Sequence, residues 1–202
     1  MVSPAHRAAL GFLRGSLIAV VFLVLTPALG ALASSVPTLG WLVKTAQFLL
    51  PVAGFAAGGA FGGDALSLGS RGALAFGCGG GVAGLLLLLT SPHLQGLTGF
   101  EDPVVVVPFA VATSAVAFGA MGLVGSLVVR RGKVGRVAAV FAAGGAAGGL
   151  LGVVPFLVLR WGSPGWADLW VFVTMACSIG SVVVPFMLGG SAAARSWSQA
   201  DA

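Results

Sequence analysis

Of the 202 residues in this chain, 58% are hydrophobic and only 7% are charged. Soluble domains carry about 25% charged residues, so a water-exposed surface cannot be assembled from it. The net charge of +5 invites a nucleic-acid reading, but the basic residues form no array interleaved with aromatics as such sites require. Composition therefore excludes a soluble globular domain and argues against a nucleic-acid partner, leaving the lipid bilayer as the medium.

Six apolar stretches reach the roughly 20 residues that a helix needs to cross a bilayer. They lie near residues 12–33, 39–61, 71–90, 104–129, 136–159 and 167–189. Runs such as Leu85–Leu89 and Val104–Val107 are apolar on both faces, unlike the alternating segments of a membrane β-barrel. The expected fold is all-α: one transmembrane domain over residues 1–202, with six transmembrane helices in three pseudo-repeated helical hairpins.

The first stretch resembles a leader. Arg7 and Arg14 precede the apolar run, and Ala31-Leu32-Ala33 looks like a small-residue cleavage site. However, the run from Ser16 to Ala33 exceeds the usual leader core of about 7–15 residues. It also opens with a pattern found again further on. Arg71, Ala73, Phe76, Gly79, Gly80 and Gly84 recur as Arg136, Ala138, Phe141, Gly144, Gly145 and Gly149, and a fainter copy occupies Arg7, Ala9, Phe12 and Gly15. The interval is about 64 to 65 residues, the length of two spans with their turns, and a fixed period marks an architecture of repeated units. The first stretch is accordingly read as retained, the first helix of the first hairpin.

Within each copy, Phe76, Gly80 and Gly84, or Phe141, Gly145 and Gly149, lie four apart on one helix face. Lipid tails are as apolar as the side chains, so helices associate in membranes through close backbone approach, which small residues permit. These six residues are the expected helix-packing positions. The odd spans are expected to face one another about a pseudo-threefold axis, with the even spans outside. A homo-oligomer or a larger membrane complex is the expected partner, beside the bilayer itself.

Charge sets the topology. Arg7, Arg14, Arg71, Arg130, Arg131, Lys133, Arg136 and Arg195 collect on one side of a six-span layout, against Lys44 and Arg160 with Glu101, Asp102 and Asp168 on the other. Excess Lys and Arg mark the cytoplasmic face. Both termini are therefore expected to be cytoplasmic in a multi-pass protein of the cell inner membrane, with Arg71, Arg130, Arg131, Lys133, Arg136 and Arg195 as topology anchors. The Ala-, Gly-, Val- and Arg-rich composition points to a GC-rich bacterial genome. Trp41, Trp161, Trp166 and Trp170 fall near outer span ends, where indole rings favour the headgroup level.

Chemistry is sparse. Ionisable groups inside a membrane are functional candidates because they are costly there, and none lies near the centre of any span. Lys44, a few residues into the second span, can snorkel to the headgroups. His6 and His93 lie outside the spans, and there is no His-Glu-x-x-His or Walker pattern. Cys78 and Cys177 lack the further ligands of a metal site. No catalytic residue, metal site or cofactor is expected, and the chain is read as not an enzyme. Mid-span hydroxyls remain: Thr113, Ser114, Thr174 and Ser178 are a candidate polar path, with Ser181 nearby. The favoured function is a packing-driven structural or accessory subunit of a membrane assembly. The alternative is a small channel or facilitator for a small, weakly polar solute. A continuous water-accessible column along spans four and six would distinguish the two.

Overall fold

The computed structural model describes residues 4–35, 40–98, 103–129, 133–161 and 167–198. Among them there is helix and no strand. The elements are α1 (Pro4–Ser35), α2 (Gly40–Gly63), α3 (Ser70–Thr98), α4 (Pro103–Val129), α5 (Val134–Trp161) and α6 (Ala167–Ser198). All six are long and apolar enough to cross a membrane, as the composition predicts. The chain is a multi-pass membrane protein.

A π-helical turn, Asp64–Leu68, prolongs α2 and ends at Gly69. Gly69 has φ +56°, a left-handed conformation that a Cβ disfavours. Its carbonyl accepts the Gly72 and Ala73 amides at 3.1 and 3.3 Å, and this starts α3. The connection from α4 to α5 is tied across the bundle, because the Lys133 amide donates to the Ser196 hydroxyl of α6 at 3.0 Å. Lys133, the starts of α1, α3 and α5, and the ends of α2, α4 and α6 share one end of the bundle. Arg7, Arg14, Arg71, Arg136 and Arg195 are exposed there. Arg130 and Arg131 lie outside the described residues. Trp41 is exposed at the opposite end; the side chains of Trp161, Trp166 and Trp170 lie outside the description.

The helices form a ring. Each packs against its neighbours in the chain, and α6 closes on α1. This corrects the expected layout: odd and even helices alternate around one layer, and neither set encloses the other. The reason lies in where the glycines face. A Cβ on Gly80 would collide with the Phe55 carbonyl of α2, and one on Gly84 would reach the Val52 Cα at 2.9 Å. Gly145 and Gly149 meet the Ser114 and Ala110 carbonyls of α4 in the same way. Their neighbours face the other flank, Gly79 against Met121 of α4 and Gly144 against Pro185 of α6. The glycines are lateral contacts between adjacent helices, so the odd helices never approach one another through them.

The α5–α6 contact also satisfies a proline. Pro185 has no amide to donate to the Ser181 carbonyl one turn earlier. The Cα of Gly148 faces that carbonyl instead, and a Cα–H···O contact of this kind contributes about 0.5–1 kcal/mol.

The ring has one weak seam. Where α3 has Gly80 and Gly84 and α5 has Gly145 and Gly149, α1 carries Ser16 and Val20. Backbones separated by such side chains cannot approach as closely, and α1 meets α6 more sparsely than any pair of chain neighbours meets.

Candidate functional site

Two layers of phenylalanine fill the axis of the ring in its basic half. Phe12, Phe76 and Phe141, from α1, α3 and α5, form the first. Their ring centroids are 5.4 Å apart for Phe12 and Phe76, 6.0 Å for Phe12 and Phe141, and 5.9 Å for Phe76 and Phe141. All three are fully buried. Phe55, Phe118 and Phe186, from α2, α4 and α6, form the second, with centroids at 5.8, 6.2 and 6.0 Å. Phe12 and Phe186 link the layers at 6.3 Å. Each separation lies within the range that aromatic pairs prefer, where a pair adds about 0.5–1.5 kcal/mol beyond its buried area.

Glycines of the even helices make room for the first layer. The Phe12 ring sits between Gly62 of α2 and Gly190 of α6, and the Phe141 ring between Gly122 of α4 and Gly189 of α6. Gly125 of α4 faces the Phe76 ring, where a Cβ would come within 2.6 Å. The first layer therefore has a large side chain from every odd helix and an absent side chain from every even helix beside it.

One helical turn past the second layer the filling stops. A cavity of about 320 Å³ opens there, reached by residues of all six helices. Phe55 and Phe118 form its floor. Its walls include Leu23, Pro51, Val153 and Val182, with the hydroxyl residues Thr90, Thr113, Ser114 and Ser181. Small residues border the space, Ala110 on α4 and Gly148, Gly149 and Gly152 on α5, and of the three glycines only Gly152 has room for a side chain. No charged side chain is among the described residues that line it. The cavity is blind, because the Phe layers separate it from the basic end.

The residues expected from sequence fall into three groups. Phe76 and Phe141 are at the axis, whereas Gly80, Gly84, Gly145 and Gly149 press on neighbouring helices, so the six positions divide between two jobs. Thr113 and Ser114 do line the cavity. Ser178 does not; it is exposed on α6, its carbonyl accepting the Ser181 hydroxyl at 2.7 Å. The Thr174 side chain lies outside the described residues. Sequence reasoning passed over Phe55, Phe118 and Phe186, whose uneven spacing carries no period. It also passed over Thr90, which sits at the end of an apolar run. Cys78 is exposed and Cys177 half-buried, both as free thiols. Among the described residues no three His, Cys, Asp or Glu side chains come together.

Compared with family models, curated proteins and solved structures, the chain matches none of them.

Proposed function

We propose that this protein is a non-catalytic, non-conducting membrane subunit, a packed ring that serves as a structural or accessory part of a membrane assembly. The supporting observation is the pair of Phe layers: six phenyl rings, each at most 2% exposed, occupy the path that a pore would need. The column of accessible polar surface that a channel requires ends on Phe55 and Phe118. In this reading the three hairpins are copies of one unit, glycine-packed at their flanks. The basic end lies in the cytoplasm of a bacterial cell, anchored by Arg71, Lys133, Arg136 and Arg195 together with Arg130 and Arg131. The apolar outer face, with Val24, Leu74, Val104 and Phe172 all more than 60% exposed, is available to lipid, to a second copy or to a larger partner.

The test is permeation. Liposomes containing the purified protein should shrink and re-swell in a glycerol gradient at the rate of protein-free liposomes. Faster re-swelling would overturn the non-conducting reading.

One observation favours a second reading. The cavity lies beyond the Phe layers and is closed towards the basic end, as in a facilitator with its inner gate shut. Under that reading wild-type liposomes re-swell faster, and filling the cavity abolishes the difference.

A further inference from the structure

The hydroxyls of the cavity are unequal as hydrogen-bonding groups. Thr113 Oγ1 donates to the Phe109 carbonyl at 2.9 Å, with the Ala110 carbonyl at 3.2 Å. Ser181 Oγ donates to the Ser178 carbonyl at 2.7 Å. Thr90 Oγ1 donates to Leu86 at 2.9 Å or Leu87 at 3.1 Å. A hydroxyl has one proton and two lone pairs. With its proton committed to its own helix, each of these oxygens offers an occupant of the cavity only acceptor capacity. Ser114 differs: it is half-buried and its hydroxyl makes no hydrogen bond to a described residue.

The remaining walls narrow the ligand further. Leu23, Pro51, Phe55, Phe118, Val153 and Val182 give an apolar surface. A full charge of either sign would be desolvated there without a partner, at a cost far above that of a neutral group. An apolar cavity of about 150 Å³ accommodates benzene, so about 320 Å³ has room for a single-ring or short-chain molecule.

From this arrangement we propose that the cavity is a binding site for a small neutral molecule with an apolar body and an O–H or N–H donor. The floor of Phe55 and Phe118 takes the apolar part, and the acceptor oxygens of Thr113, Ser181 and Thr90 take the donor. A pure hydrocarbon leaves those oxygens unpaired, and an ether can pair only with Ser114, whose hydroxyl proton alone among the four is not committed to a described residue. The site is independent of whether the ring conducts, so it stands apart from both readings above.

Phenol, anisole and benzene test it, titrated against the full chain in detergent and read by the shift in thermal unfolding midpoint as a function of probe concentration. Phenol should bind with a Kd about three- to tenfold below that of anisole, the worth of one net hydrogen bond. Gly152→Leu should remove binding of all three probes: a Cβ there meets only the Ser181 Cβ, at 3.7 Å, and the rest of the side chain enters the cavity. The near-isosteric Thr113→Val should narrow the phenol preference without weakening benzene binding, and it carries the test if Gly152→Leu fails to fold. Equal Kd values for phenol and anisole, absence of binding, or a phenol preference unchanged in both variants would overturn the proposal.

Discussion

In the basic half of the ring, six phenyl rings meet at centroid distances from 5.4 to 6.3 Å; in the other half the same six helices enclose about 320 Å³ of open space. Side-chain size sets the two halves apart. Towards the basic end, large rings on the odd helices face Gly62, Gly122, Gly125, Gly189 and Gly190 on the even ones. Past the second layer, α4 and α5 bring Ala110, Thr113, Ser114 and Gly152 to the cavity, and the other helices line it with Leu23, Pro51, Leu87 and Val182, with no phenyl ring beyond the Phe55 and Phe118 floor. One half is filled because a phenyl ring meets an absent side chain; the other is hollow because no ring crosses it.

The largest expected effect comes from reversing that rule in the filled half. Gly189→Leu places a side chain inside the space of the Phe141 ring, which is fixed on every side by its layer. It should abolish monodisperse protein on size-exclusion chromatography in detergent, whereas Gly152→Leu in the hollow half should elute as wild type. Next is truncation. Phe141→Ala should lower unfolding stability by about 3–5 kcal/mol, measured by denaturation in mixed micelles. Leu85→Ala, on a side chain 46% exposed on the outer face, should cost well under half as much, because its surroundings are lipid in either case. Equal losses would mean that the Phe layers are not the centre of packing.

How much of this could be read from the sequence follows the same division. The odd-helix pattern placed Phe76 and Phe141 on one face with their glycines, and the structure puts those phenylalanines at the axis. The pattern was silent about which neighbour each glycine meets, because a stripe four residues apart has no label for its partner. Gly79 and Gly80 are adjacent in sequence and contact opposite flanks, a detail that only the ring closure decides. The even helices were harder to read. Their contribution to the first layer is an absence of side chain, and glycines in a chain with 33 of them do not stand out. For the cavity, Thr113 and Ser114 were legible as hydroxyls at mid-span, while Ser178 failed because its position on α6 faces away from the axis. Charge clustering foretold a shared basic end without revealing that the axis is closed there.

Smaller effects sharpen the comparison further. The seam between α6 and α1 has Ser16 and Val20 where the other odd helices have glycine pairs. Ser16→Gly combined with Val20→Gly removes the bulk that separates the backbones, and their distance should fall; spin labels on the outer surfaces of α1 and α6 would register a shorter separation. The smallest change should be Ser126→Ala. The Ser126 hydroxyl is fully buried and has no hydrogen-bond partner among the described residues. Removing an unsatisfied buried group should leave stability unchanged or raise it by about 1 kcal/mol.

The central claim, an axis sealed by the Phe layers between the cavity and the basic end, is tested most directly by a single cysteine in the cavity. In a background with Cys78→Ala and Cys177→Ala, Ser114→Cys is treated in oriented vesicles with a membrane-impermeant thiol reagent from either side. The account predicts modification only from the side opposite the basic end, with protection from the basic side. Modification from the basic side would contradict it.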